Sequence, residues 1–297
     1  MSKNILAIDV GGTTIKYALC NKNCELSNKG FVNTPDNLEK FYNEIENIYK
    51  KVGEVEGIAL SMPGAVDSNT GIIHGISFVP YIHGPNIKED LEKRLKTKIE
   101  LENDANCAAL AEVWKGAAKD YNDSCFVVLG SGVGGAIIKD KKIHHGKNLL
   151  GGEFGFQVLG YDKNNKPIVW TNEASTIICV RHIAEELGVD PKTLNGKEVF
   201  DQAKTNSIYK KHVDYFYNLC AQGIYNIQYS YDPEIIIIGG AISQREDIEE
   251  ELTKRVKQIE DSIDFPLTMP IIKRCHFEGD ANLIGAVYHF MTFKKNK

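Results

Sequence analysis

Near the amino terminus, Asp9, Gly11, Gly12, Thr13 and Lys16 bring a carboxylate, two flexible backbone positions, a hydroxyl and an ammonium group into eight consecutive residues. That mixture suits a metal–triphosphate, with the carboxylate turned to a divalent cation through water and N–H and hydroxyl groups donating to phosphoryl oxygens. It suits a solvated hairpin with a charged tip equally well. Two more glycine clusters follow apolar runs: Gly130-Ser131-Gly132-Val133-Gly134-Gly135, and Gly239-Gly240. Glycine turns the chain tightly and lets N–H groups approach an anion with no Cβ in the way. One such cluster is ordinarily a turn; three at the ends of apolar strands point to a ligand, because ligands of α/β proteins gather there. Asn103-Asp104 stands at the expected start of a helix, where a carboxylate either caps the helix or accepts a hydroxyl proton. Glu153, between Gly152 and Gly155, is either a turn residue or a ligand for hydroxyl groups.

Two familiar phosphate-binding patterns fail. Gly130-x-Gly132-x-x-Gly135 matches the dinucleotide fingerprint letter by letter, and Glu153 follows about 20 residues on, but a helix must open directly after that loop. Ala136-Ile137-Ile138 and then Lys139-Asp140-Lys141-Lys142 read as a hairpin instead. No glycine loop is followed by the Lys-Ser or Lys-Thr pair of a Walker loop.

The elements that must carry these groups alternate. Residues 5–10 and 14–20 read as strands around Gly11-Gly12; residues 125–129 and 136–139 repeat the theme around the second cluster. The weak likeness of the two stretches hints at two related halves. Helical spacing marks residues 38–49, 87–95, 104–114, 173–187, 211–231, 246–263 and 280–290, with a strand at 234–238. The fold class is therefore α/β with sheets that are not wholly parallel, divided into residues 1–118 and 119–279, with a closing helix at 280–297 packing back on the first part.

The 297 residues carry 35 Lys and Arg against 40 Asp and Glu. A net charge of −5 makes a poor partner for nucleic acid or an anionic membrane surface. No apolar run approaches the roughly 20 residues that span a bilayer. Seven scattered cysteines with no CxxC pair, and a start without a signal-peptide pattern, place the chain in a reducing cytoplasm as an expectation.

In chain order stand Asp9-Val-Gly-Gly-Thr-Thr-Ile-Lys16, Glu102-Asn-Asp-Ala-Asn106, Leu129-Gly-Ser-Gly-Val-Gly-Gly135, Gly152-Glu-Phe-Gly155, residues 235–240 and Gly279-Asp-Ala-Asn-Leu-Ile-Gly-Ala286. Together they resemble the ROK family of bacterial sugar kinases and repressors, over nearly the whole chain. The resemblance implies an actin-like ATPase (ribonuclease H-like) fold, two α/β domains around a cleft, and transfer of phosphate from ATP with Mg²⁺ to a sugar hydroxyl. It implies Asp104 as general base and Asn103, Glu153 and Glu173 as sugar ligands, with Pro63-Gly64 in the sugar-side loop. Asp9 would face Mg²⁺ through water. Gly11, Gly12, Thr13, Lys16, Gly130, Ser131, Gly132, Gly239 and Gly240 would line the nucleotide. A homodimer is the implied assembly. The repressors carry an additional DNA-binding segment of about 80 residues, whereas here the kinase-like core begins at Ile5.

One departure matters for specificity. Most members have a zinc-binding His where this chain has Phe156, and a run of cysteines that residues 160–172 lack. The expectation is no zinc site. The adjacent His144-His145 pair reads as surface polarity rather than a metal site. An aromatic at 156 resembles the β-glucoside kinase branch, which phosphorylates the 6-hydroxyl of the non-reducing glucose in disaccharides such as cellobiose. Alternatives are a glucokinase, another hexose kinase such as one for N-acetylmannosamine, and a non-catalytic sugar sensor.

Overall fold

The computed structural model describes residues 4–264 and 268–293. The expected domains and closing helix therefore include residues 1–3, 265–267 and 294–297, which lie outside the described residues.

In chain order the elements are β1 (Ile5–Val10), β2 (Thr14–Cys20), β3 (Leu26–Asn33), α1 (Leu38–Val52), β4 (Ile58–Met62), β5 (Ala65–Asp67), β6 (Ile72–His74), α2 (Ile87–Leu95), β7 (Ile99–Asn103) and α3 (Asp104–Lys115). Then come β8 (Ser124–Leu129), β9 (Val133–Lys139), β10 (Lys142–Ile143), β11 (Val158–Tyr161), β12 (Pro167–Val169), α4 (Trp170–Glu173), α5 (Thr176–Leu187), α6 (Gly196–Gln202) and α7 (Ser207–Tyr231). The chain closes with β13 (Ile235–Gly239), α8 (Ile248–Glu260), β14 (Ile272–Arg274) and α9 (Ala281–Thr292).

The chain forms two compact units. One holds Met1–Lys119, His145–Gly151 and Gly279–Lys297; the other holds Asp120–His144 and Gly152–Glu278. Each is built on a five-stranded sheet, of order β3-β2-β1-β4-β7 in the first and β10-β9-β8-β13-β14 in the second. The two sheets share one pattern. Three antiparallel strands lead into two parallel neighbours, β4 and β7 beside β1, and β13 and β14 beside β8. The glycine hairpins read from the sequence, β1–β2 and β8–β9, are equivalent members of the two sheets.

In the first unit the pleat sorts side chains by face. Leu6, Ile8 and Val10 join Ile58, Leu60 and Leu101 in a core closed by Phe41, Tyr42, Ile45 and Ile48 of α1 and by Ile87 and Leu91 of α2. Ile5, Ala7 and Ala59 on the other face meet Cys107 of α3 and Leu283, Ala286, Val287 and Phe290 of α9. Gly285 permits the close approach of α3 and α9, since a Cβ there would overlap the Cys107 carbonyl. In the second unit, Cys125, Val127, Leu129, Ile236 and Ile238 of the sheet pack with α5, α7 and α8 around the fully buried Trp170.

The expected single helix over 173–187 is two. Ser175 interrupts it, capping α5 by accepting the Ile178 N–H through Oγ, while Thr176 turns its N–H and hydroxyl to the Gly130 carbonyl oxygen.

Candidate active site

Three polar side chains stand in one row where the parallel strands of the first unit end. Asp9 of β1 is in register with Ser61 of β4, and Ser61 with Glu102 of β7. They occupy the face whose earlier positions carry Ala7 and Ala59, the face that α9 covers. Ser61 Oγ donates to Asp9 Oδ1 at 2.8 Å, and Asn282 Nδ2 of α9 donates to the same oxygen at 2.9 Å. Two donors therefore fix the rotamer of this carboxylate at the mouth of the glycine hairpin. The hairpin itself is pinned by Thr34, whose Oγ1 donates to the Gly11 carbonyl at 2.6 Å. Gly11 and Gly12 have no room for larger residues: a Cβ would lie 3.0 Å from the Thr14 carbonyl oxygen and 2.8 Å from Phe78 Cβ, respectively. Thr13 is exposed at the tip, and Lys16, also exposed, stands opposite Asp9 in the β1–β2 register.

Asn103 and Asp104 divide two roles that their sequence left open. Asn103 is the cap of α3: its Oδ1 accepts the Asn106 N–H at 3.0 Å, and its Nδ2 donates to the Gly64 carbonyl oxygen at 3.0 Å. Asp104 is the first helical residue, half-buried, with Oδ1 accepting the Ala105 N–H at 2.8 Å. Its carboxylate thus sits at the positive end of the α3 dipole. Gly64, after Pro63, has φ +99°, and a Cβ there would press on His83. The Pro63-Gly64 turn and the α3 start are therefore one assembly.

Beneath them lies Glu102, fully buried, its two oxygens accepting from Asn103 N, Asn106 Nδ2, Ser68 Oγ and His145 Nε2. The His144-His145 pair is thus split: His144 is exposed, while His145 is half-buried and turns Nε2 inward to Glu102. Burial alone would raise the Glu102 pKa, but the His145 hydrogen bond and the nearby imidazoles outweigh it and hold the carboxyl at about 2.

The second unit gathers the remaining predicted residues. Gly240, at φ +84°, lies so close to the Leu129 carbonyl that a Cβ would collide with it, which sets Gly239-Gly240 beside the start of the Gly130-Ser131-Gly132 loop. Thr171 Oγ1 accepts the Val133 N–H at 2.9 Å on the far side of that loop. The Gly152–Gly155 turn packs against the same hairpin: a Cβ on Gly152 would meet Ala136, and one on Gly155 would meet the Val133 carbonyl. This places Glu153 next to the glycine loop, half-buried, its pKa raised by burial. Glu173 is half-buried on α4, which packs on the short turn Phe154–Phe156. In that turn Phe154 is buried and Phe156 is 70% exposed. A cavity of about 990 Å³ opens beside the Gly239-Gly240 turn, lined by Thr176, Ile177 and Val180 of α5, Phe200 of α6, and Ala241 and Ile242.

The predicted residues thus fall into two groups, one in each unit. Sequence reasoning missed Ser61, Asn282, Thr171, Thr176, the cavity and Glu102. Glu102 had a readable signal, since a charged residue stands on the face of β7 that must be buried under α9. The others depend on contacts between distant segments. Among the described residues no cluster of three His, Cys, Asp or Glu side chains is placed to hold a metal ion, and no helix is long and apolar enough to cross a membrane.

The ROK family model matches residues 5–292. The chain is 31% identical to a β-glucoside kinase of Listeria monocytogenes over 292 residues, 97% of each chain. It is 32% identical to a β-glucoside kinase of Listeria innocua over the same length and shares. Among solved structures, a ROK family protein from Streptococcus pneumoniae TIGR4 in complex with sucrose superposes with a TM-score of 0.89 at 35% identity, over 97% of this chain and 98% of that one.

Proposed function

The chain belongs to the ROK family, with the actin-like ATPase fold, and we propose that it transfers the γ-phosphoryl group of ATP to the 6-hydroxyl of a glucose unit, the non-reducing glucose of a β-glucoside such as cellobiose. The observation that carries this reading is the division of labour at α3: Asn103 caps the helix, and Asp104 stands half-buried as its first residue, the position proposed for the base. Phosphoryl transfer asks little covalent chemistry of a protein; it asks for in-line positioning, charge neutralisation and a proton acceptor. Asp104 takes the proton of the attacking hydroxyl as its oxygen bonds to the γ-phosphorus and the bond from that phosphorus to the β,γ-bridging oxygen breaks, releasing ADP.

Asn103 and Glu153 are suited to the sugar, because an amide or a half-buried carboxylate meets vicinal hydroxyls in pairs. Glu173 completes the proposed sugar set. The Gly11-Gly12-Thr13 turn, Lys16, Gly130-Ser131-Gly132 and Gly239-Gly240 are the proposed phosphate-side groups, and the cavity beside Gly240 has the size for a nucleoside. Asp9, an oxygen ligand anchored by Ser61 and Asn282, fits a hard divalent cation such as Mg²⁺ held through water. That ion, when bound, neutralises charge on the phosphates. A reaction that consumes ATP suits the cytoplasm, the location of this reading, and a homodimer is its proposed assembly.

The glucoside preference is supported by the two Listeria relatives and by exposed apolar surface. Phe156 is 70% exposed in the second unit, and in the first unit Ile76 and Phe78, on the loop after β6, are 94% and 92% exposed. Large apolar side chains held out in water suit the face of a second sugar ring or an aryl group. An ADP-release screen with glucose, N-acetylmannosamine, cellobiose and gentiobiose tests the reading. Preference for a disaccharide is the expected result; robust turnover of glucose with none of cellobiose rejects the glucoside assignment.

A further inference from the structure

We propose that Glu102, paired with His145, is a positioning residue for the reaction: it holds both flanks of Asp104 and balances the charge at the start of α3. The proposal rests on the reading of Asp104 as the base.

The geometry is that of a clamp. Glu102 Oε1 accepts the Asn103 N–H at 2.8 Å and the Asn106 Nδ2–H at 2.9 Å. These residues lie on either side of Asp104. Oε2 accepts from Ser68 Oγ at 3.0 Å and from His145 Nε2 at 2.8 Å. The donors come from the end of β7, from α3, from the turn after β5 and from the His145–Gly151 segment. A carboxylate with no solvent exposure is costly unless paired and fully hydrogen-bonded. This one spends Oε1 on the peptide that enters α3 and on the first turn of that helix, while Ser68 and His145 hold Oε2.

Several charged or titratable groups of the first unit act on the pair. His289 of α9 brings Nδ1 to 3.7 Å from Glu102 Oε2. Cys107 and Asp104 belong to α3, and Cys107 feels the charges of Glu102, Asp9 and Asp104. Asp67 of β5 faces His145; Glu100 and Lys88 face His289. Burial favours the neutral form of both imidazoles. For His145 the bond to Glu102 and the carboxylates of Glu102 and Asp67 outweigh it, and its pKa is raised; for His289 burial prevails and its pKa is lowered. Of the two imidazoles, His145 is therefore the one whose charged form the site favours, and it is the one hydrogen-bonded to Glu102.

Two substitutions with opposite charge effects separate positioning from mere support. His145→Gln keeps a donor but removes the positive charge, leaving an unbalanced carboxylate beside the base, so the proton affinity of the base rises. Glu102→Gln removes the negative charge and lowers it. The measurement is kcat/KM against pH, with the sugar that turns over fastest in the screen. Expected is an acid limb about half a unit higher in His145→Gln and lower by a similar amount in Glu102→Gln. Both variants should lose at least about fivefold in kcat while KM for ATP stays within about twofold. Limbs that stay in place, or move in the same direction, overturn the proposal. If Glu102→Gln does not fold, His145→Gln decides alone, because that side chain is partly exposed. Asp104→Asn is run alongside. Near-normal turnover there removes the base and this proposal with it; a dead Asp104→Asn with an unmoved limb in His145→Gln overturns the positioning role alone.

Discussion

Asn103 Nδ2 donates to the Gly64 carbonyl oxygen at 3.0 Å while Asn103 Oδ1 caps α3. One amide thus closes the helix and fastens it to the turn after β4. An aspartate would keep the cap and set a carboxylate against the carbonyl; alanine would lose both bonds. We expect Asn103→Ala to cost about 2 kcal/mol of unfolding free energy, and Asn103→Asp at least about 1 kcal/mol, by urea denaturation. An Asn103→Asp protein as stable as the parent would show that the tie to Gly64 contributes nothing.

Asp104→Asn is the sharpest test of the base. Asparagine preserves the Oδ1 acceptor for the Ala105 N–H, so the helix start is undisturbed. It cannot take a proton. Turnover should fall by about a hundredfold or more, while calorimetry finds sugar binding within a few-fold of the parent. Turnover close to the parent's would remove Asp104 from the base role.

The ordered glycine motifs made the family and the duplicated hairpins legible, because a glycine turn between two apolar runs leaves few other conformations. β3 was missed: Leu26–Asn33 is an edge strand with half-exposed, polar positions, so its pattern is that of a loop. Asn103 and Asp104 were both good caps on paper; Asn103 takes the cap, its amide oriented by the Gly64 carbonyl 39 positions earlier, a contact no local pattern reports. Glu102 and His145 are separated by 43 positions, and the pair exists only because the His145–Gly151 segment belongs with the first unit. Sequence reports local turn chemistry well and is silent on which distant polar groups meet.

Two glycines distinguish packing from ligand approach. A Cβ on Gly285 would overlap the Cys107 carbonyl between α3 and α9, whereas a Cβ on Gly130 meets nothing within 4 Å. Gly285→Ala should therefore lower stability by about 2–3 kcal/mol through forced separation of the helices. Gly130→Ala should leave the melting temperature within a degree or two and, if the proposed role of this loop is right, raise KM for ATP, because the methyl would enter the space proposed for phosphate. Unchanged ATP kinetics in Gly130→Ala would exclude that loop from the nucleotide.

The zinc expectation has a chemical basis beyond Phe156. Cys179 is buried, its Sγ lies 3.8 Å from the His212 carbonyl oxygen, and burial pushes its thiol up to about 12. Among the described residues no group of three His, Cys, Asp or Glu side chains surrounds it, as a four-ligand zinc site would require. Elemental analysis of the purified protein should find no stoichiometric zinc, and prolonged chelation should leave the melting curve in place. A chelator-sensitive melting temperature would contradict this.

The Glu102 cluster also shapes stability against pH. Burial raises the Glu102 pKa, but the bond from His145 and the charges of His289 and His145 bring it to about 2, below its ordinary 4.5. A carboxylate depressed in this way contributes stability that is complete above about 4.5 and is lost as pH falls toward 2. By the same linkage its full worth is on the order of 3 kcal/mol. His145 is raised above its ordinary 6.5, so its contribution is complete below 6.5 and is lost as pH rises through its folded value. His289 is lowered by burial, so the protein also loses stability as pH drops below 6.5, where the unfolded chain takes up a proton that the folded one resists. Unfolding free energies from pH 3.5 to 9 should therefore decline on both sides of a neutral maximum. His145→Gln should flatten the alkaline side, and Glu102→Gln should soften both. An alkaline decline of the same size in His145→Gln and the parent would assign it to some other group.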